Sequence, residues 1–326
     1  MVRSLILSFV LWILALPAIA QSCGTRDLIA ELSPDVKARL DALVAPHPFS
    51  EGTIWRAEKP GSSITVVGTL HIPDPRFKDV VAQLTPEIEA ADLLVLEASA
   101  EDELAIQALS ASEPEMFFLT EGPTLIDLLT EEEWNKAKDQ LAGLGIPGFL
   151  AAKFQPWYLS LTLAIPPCAL SAMQAGEKGL DRQLEQVALA AGVPLATLDD
   201  VKELMKLFAD EPLEKQLDGL RLALESTTDS EATTSTLIAS YFDGRVREGW
   251  EFGRIYVEES GIENGAVLFE EMNQELLEDR NKGWEPKIVA LVEGKRVVIA
   301  VGAAHLSGET GVLRALERAG YELSPL

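Results

Sequence analysis

Two of the three histidines in this chain sit in matched surroundings. His71 and His305 each stand three residues after a glycine, Gly68 and Gly302, at the end of an apolar run: ITVVGTLH in one case, VVIAVGAAH in the other. A third apolar run, Leu93-Leu94-Val95-Leu96, ends in Glu97. Continuous apolar runs of this length read as strands buried on both faces. Side chains just beyond the carboxyl ends of such strands line the ligand crevice of an open α/β sheet, so His71, Glu97 and His305 are candidates to converge. Two neutral imidazoles and a carboxylate hold a divalent cation and leave a position for water, whose pKa the metal lowers to make a nucleophile. Taken singly, each residue could equally be a hydrogen-bonded structural group, and it is the repeated Gly-x-x-His spacing that favours a site. The two glycines allow a sharp turn or a close approach. His47, between Pro46 and Pro48, has no such context and reads as structural.

Other chemistry lacks its motif. The chain contains no H-E-x-x-H, G-x-S-x-G, Walker loop or C-x-x-C. Arg280-Asn281, expected at the end of a helix, could steady an oxyanion or a substrate carboxylate through the planar guanidinium fork. The competing role is a basic residue answering a helix dipole. Gly308-x-x-Gly311 reads as a loop and helix start, and Trp157-Tyr158 as packing.

The elements that must position these residues follow from periodicity. Apolar residues at Leu28, Leu32, Val36, Leu40 and Leu43 stripe one or two short helices broken near Pro34. Strands over 53–57 and 64–70 form a hairpin through Lys59-Pro60-Gly61-Ser62. A helix over 76–91 follows, with a second start at Thr85-Pro86. From about 101 to 280 the period is mostly helical: 124–141 with a Thr130-x-x-Glu133 capping box, 181–191 and 268–279. One strand, 194–198, interrupts it. Residues 286–292 fit a helical stripe with Trp284, 296–301 is a buried strand, 311–319 a helix and 321–323 a last edge strand. The two ends of the chain thus share the order strand, Gly-x-x-His, helix, strand. The expectation is an α/β fold: a central sheet with a large helical insertion between two related halves, in a single domain over 21–326.

Composition narrows the partners. The 326 residues carry 27 Lys+Arg against 52 Asp+Glu, a net charge of −25, with 47% hydrophobic residues. Such a chain has ample material for a core, and its field repels phosphate backbones and anionic lipid surfaces. Nucleic acid is therefore discarded as a partner. The opening MVRSLILSFVLWILALPAIA has one basic residue, an apolar run over 5–16, Pro17 and then Ala18-Ile19-Ala20, the pattern of a secretory signal peptide over 1–20. The run is short for a membrane span and no later stretch would span a bilayer, so export to a periplasmic or extracellular space is expected. The only cysteines, Cys23 and Cys168, most simply pair as one disulfide in such a compartment. A lipid anchor on Cys23 is the weaker alternative, because Ala20-Gln21-Ser22 lacks the usual residues before it.

ITVVGTLHIPD, LLVLEAS, KFQPWYLSLTLA, GLDRQLEQVALAAGVPLATLD, LEDRNKGWEPKI and VVIAVGAAHLSGETGVLRALERAGYEL, in this order, resemble the TraB/GumN family. That family is related to the Tiki metalloproteases and more distantly to the erythromycin-esterase and ChaN-like proteins. The resemblance implies a Tiki-like α/β fold in which His71, Glu97 and His305 surround a divalent metal, with Arg280 and Asn281 beside it as substrate or transition-state groups. The stretch Thr197-Leu198-Asp199-Asp200 stands where relatives often show a Glu-bearing sequence, which leaves open whether a shorter carboxylate reaches the site. Manganese, cobalt or zinc suits such mixed N/O ligands, as does iron. The function expected is an exported metal-dependent hydrolase, foremost a peptidase, in which a metal-bound water attacks a substrate carbonyl, one carboxylate takes the proton, Arg280 steadies the oxyanion and Glu97 and Asn281 are counted with it among the catalytic candidates. The substrate would be a peptide or a small molecule such as an ester. The alternative is a non-catalytic peptide- or metal-binding accessory protein, associated with pheromone shutdown or exopolysaccharide.

Overall fold

The computed structural model describes residues 23–226, 230–259 and 264–326; the leader expected over 1–20 lies outside them. Six strands form one sheet: β1 Ile54–Lys59, β2 Ser62–Thr69, β3 Leu93–Leu96, β4 Leu195–Thr197, β5 Arg296–Gly302 and β6 Glu322–Pro325, in the order β4-β3-β5-β2-β1-β6. Strands β4, β3, β5 and β2 run parallel, while β1 pairs antiparallel with both β2 and β6. The β1–β2 hairpin closes as its sequence requires. Lys59 pairs with Ser62, which leaves Pro60-Gly61 as a two-residue turn with Gly61 at φ 81°.

The apolar run of β5 is explained by helices on both faces. Val297, Ile299 and Val301 point to one side, against Trp284, Ile288 and Val292 of the helix Asp279–Val292 and Leu313 and Leu316 of the helix Val312–Arg318. Val298 and Ala300 point to the other, against Leu84 and Ile88 of the helix Phe77–Glu89 and Leu184 and Ala188 of the helix Leu180–Ala191. This alternation is the period of two expected of a strand, with no face left for solvent. The fold is α/β with a large helical insertion between β3 and β5. Part of that insertion has its own core, including Leu125, Leu141, Leu159 and Leu220.

Several local expectations shift. Thr85-Pro86 starts no new helix: Pro86 lies inside Phe77–Glu89, whose Leu84 and Ile88 are buried on either side of it. Shared burial outweighs the one backbone hydrogen bond that proline forfeits. The stretch 124–141 is two helices, Leu125–Leu128 and Glu131–Gly143, parted at the extended Leu129; Thr130 and Glu133 form the capping box of the second. The first helix is Pro34–Val44, capped by Ser33, so the break near Pro34 is its start. The two halves are also unequal in space. β3 lies beside β5, whereas β6 crosses to the far edge and pairs with β1.

Cys23 and Cys168 are disulfide-bonded, tying the start of the described chain to the helix Pro167–Gln174 across 145 residues of sequence. The bond is buried with Ala169 and Ile238 and packs against Ile72, beside His71. Among the described residues no helix is long and apolar enough to cross a membrane. Closing so long a loop restricts the unfolded chain, so Cys168→Ser should lower stability by about 2–4 kcal/mol. Urea unfolding of both proteins without reductant measures this, and the difference should vanish once reductant opens the wild-type bond.

Candidate functional site

The carboxyl ends of three adjacent parallel strands, β3, β5 and β2, deliver Glu97, His305 and His71 to one side of the sheet. All three line one cleft of about 290 Å³, together with Thr69, Tyr241 and Arg280. The motif glycines make this closeness possible. A Cβ on Gly68 would lie 2.9 Å from Cα of Ala303, in the second motif, and a Cβ on Gly302 would lie 2.9 Å from Oε1 of Glu97. Both positions are needed for close approach, and neither has a positive φ. The Gly302 N–H donates to that same Oε1, so the second motif binds the carboxylate of the third strand through its backbone.

Arg280 holds the cluster together. Its Nη2 donates to Oε2 of Glu97 at 2.7 Å and to Oδ2 of Asp199 at 2.6 Å. Its Nη1 donates to the Leu276 carbonyl at 3.0 Å and to Nε2 of His305 at 3.1 Å. A guanidinium has only donors, so Nε2 of His305 accepts; its Nδ1 therefore carries the proton and donates to Oδ1 of Asn281 at 2.8 Å. Asp199 also accepts from Nε1 of Trp284 at 2.7 Å, and the Trp284 ring lies under both the guanidinium and the His305 imidazole. The shorter carboxylate after β4 thus reaches the site through arginine. Arg280 and Asn281 do not end a helix. A π-turn, Gln274–Glu278, precedes them and they occupy the first turn of Asp279–Val292, so the helix-dipole role falls away. Turns of this kind re-aim the residues that follow and recur at functional sites.

His71 is held differently. Its Nδ1 lies 3.2 Å from Oδ1 of Asp181, and its side chain is 67% exposed. Asp181 arrives because Gly179 presses against the His71 backbone, where a Cβ would be 2.4 Å from the carbonyl oxygen, and because the Leu180 N–H donates to the Leu70 carbonyl. Sequence reasoning missed Asp181 and Gly179. Their only signal was the Gly-Leu-Asp start of a helix, which is ordinary until its neighbour is known. His47 is structural as expected, with Nε2 2.9 Å from Nη2 of Arg247. Trp157 and Tyr158 pack in an aromatic cluster with Phe117.

The charges follow from these contacts. The Asp181 carboxylate beside it raises the His71 pKa to about 9. Burial chiefly pushes His305 down to about 4, with Glu97 opposing and the Arg280 and His71 cations adding to the depression. Burial also works against the Glu97 carboxylate, but the cationic fields of His305, Arg280 and His71 and the Gly302 N–H overcome it and hold Glu97 near 2. At neutral pH the cleft therefore sets a protonated His71 and a neutral, locked His305 around an ionised Glu97.

A match to the family model TraB/PrgY/gumN family covers residues 53–325, from the β1–β2 hairpin through the second Gly-x-x-His motif to the last strand. The chain belongs to the TraB/PrgY/gumN family. No curated protein matches it. In this family member the three residues expected to surround a metal do meet at one cleft, but the carboxylate and one of the imidazoles already serve other partners. Arg280 stands between Glu97 and His305, bonded to Oε2 of one and to Nε2 of the other, while Oε1 takes the Gly302 N–H. Among the described residues no group of three or more His, Cys, Asp or Glu side chains is placed to hold a metal ion. This arrangement does not fit a manganese, cobalt or zinc ion on His71, Glu97 and His305; the cation at its centre is a guanidinium.

Two outcomes are expected. Arg280→Met leaves Glu97 and Asp199 buried without their cation and should cost about 3 kcal/mol of stability in chemical denaturation. His305 is neutral when folded and binds a proton only when unfolded between its ordinary 6.5 and about 4, so stability should fall as pH drops through that window. The loss should be on the order of 3 kcal/mol and absent in His305→Gln, read by urea midpoints at stepped pH.

Proposed function

We propose that this protein is an exported hydrolase that adds water across an amide or ester carbonyl held in the cleft between His71 and Arg280. The observation that carries the reading is the pairing of unlike groups on one cleft: an exposed imidazole backed by a carboxylate, and a buried carboxylate backed by a guanidinium. His71, oriented by Asp181, is the group that exchanges a proton with substrate, because it is the accessible imidazole; Nε2 of His305 is occupied by Arg280. Glu97 stays ionised and accepts a hydrogen bond from the attacking water. Among the described residues Nε of Arg280 is a buried donor without a protein partner and Thr69 Oγ1, also on the cleft wall, is another; both can serve the carbonyl oxygen as charge develops on it. Peptide amides are the first substrates to try, as the resemblance to the Tiki branch implies, and small esters the second. The leader-like sequence over 1–20 and the Cys23–Cys168 disulfide support export.

His71→Ala and Asp181→Asn should lower turnover of fluorogenic peptides or nitrophenyl acetate at least ~100-fold while circular dichroism stays unchanged. Wild-type turnover should survive extended dialysis against a chelator. Loss under chelator, restored by manganese, cobalt or zinc, would instead establish the metal-dependent form of the reaction, which requires Arg280 to withdraw from Glu97 and His305. Peptide binding without turnover of either substrate class would leave the accessory-protein reading. N-terminal sequencing of the exported protein, expected to begin at Gln21, tests the leader.

A further inference from the structure

A second cavity, of about 510 Å³, opens beside the cleft and shares two wall residues with it, Leu237 and Leu276. Its walls are helical and largely apolar, with Trp157, Leu161, Phe208 and Met272 among them. Leu161, Leu237 and Met272 are 41%, 36% and 37% exposed, a concentration of large apolar side chains open to solvent that marks a binding surface when it is continuous with a site. Leu276 forms the partition. Its carbonyl accepts from Arg280 and the residue lines both cavities, so the π-turn that aims the guanidinium also stands where groove and cleft meet.

We infer that this groove holds the acyl chain of the substrate, so that the hydrolase acts on esters of medium or long unbranched acyl groups. The inference rests on the hydrolase reading and names its substrate class. Two features favour an acyl chain over an extended peptide. Among the described residues no strand contributes to the groove wall, so these supply no row of backbone N–H and C=O groups to pair a peptide main chain, whereas a hydrocarbon chain has no polar groups to satisfy. Charge on the wall selects against anionic ligands. Lys215 is its cation and is outnumbered by Glu211, Glu271 and Glu275, which lie 3.0, 3.4 and 3.5 Å from it, within a chain of net charge −25. A neutral ester therefore enters more readily than a free fatty acid, which the same field helps to expel as product. In the reaction the acyl C–O bond breaks, water oxygen joins the acyl carbon, and one water proton passes to the departing alcohol.

The test is a series of 4-nitrophenyl esters from acetyl to octanoyl, all neutral and used below their solubility limits. Each methylene buried in the groove should raise kcat/KM about threefold, somewhat less than its full transfer value because the groove is open along one side. Leu161→Glu should flatten this dependence, whereas Leu104→Glu, the same change at an exposed leucine that does not line the groove, should not. Binding of the neutral fluorophore N-phenyl-1-naphthylamine is read in parallel, with methyl octanoate as competitor. Turnover of the acetyl ester with no rise along the series and no competitor-sensitive binding would overturn the groove assignment and leave the hydrolase reading intact. Competitor-sensitive binding that Leu161→Glu abolishes, without turnover of any ester, would uphold the groove as an acyl site and overturn the hydrolase reading.

Discussion

A single guanidinium, that of Arg280, determines the shape of the site. It joins carboxylates that follow two different strands, Glu97 after β3 and Asp199 after β4, and reaches the imidazole that follows β5. Each of these groups is largely withdrawn from water, where an unpaired charge is costly and a paired, fully hydrogen-bonded one is tolerated. The cluster is therefore stable only as a whole. That mutual dependence fixes how the π-turn, the helix it starts and the strand ends sit relative to one another.

The same constraint divides labour between two histidines that look identical in sequence. His305 is pinned at both nitrogens, by Arg280 on one side and Asn281 on the other, and a cation beside its acceptor nitrogen makes further protonation unfavourable. His71 touches an aspartate instead and lines the cleft as an exposed ring. Burial holds one imidazole neutral and an aspartate keeps the other protonated, which is how one pocket can hold a fixed structural imidazole and a proton-exchanging one at the same pH.

The helical insertion serves the site from outside the sheet. It supplies the apolar groove and Asp181, and, through the Cys23–Cys168 bond, it is fastened to the N-terminal end of the described chain near Ile72. Substrate-sized space thus lies between the sheet and the insertion, while the charged groups come mostly from the strand ends and the helix that follows the π-turn. A parallel sheet with covered faces provides rigid positions at its carboxyl edge, and helices packed above that edge shape what can reach them.

Much of this was written in local sequence. Runs such as Val297–Val301 can only be buried strands, Pro60-Gly61 can only turn, and the repeated Gly-x-x-His placed His71 and His305 at strand ends, because these features depend on near neighbours and side-chain period. The meeting of Glu97, His71 and His305 at one cleft was legible as a consequence of strand ends in a parallel sheet. Their partners were not. Which cation lies between Glu97 and His305, that Asp199 shares it and that Asp181 backs His71 all depend on contacts between residues remote in sequence, 183 residues apart for Arg280 and Glu97 and 81 for Arg280 and Asp199. Donor geometry at a buried charge is decided by whichever group comes within about 3 Å. Sequence could propose the residues of the site, and only the packing of the sheet against its helices could decide that arginine stands where a metal was expected.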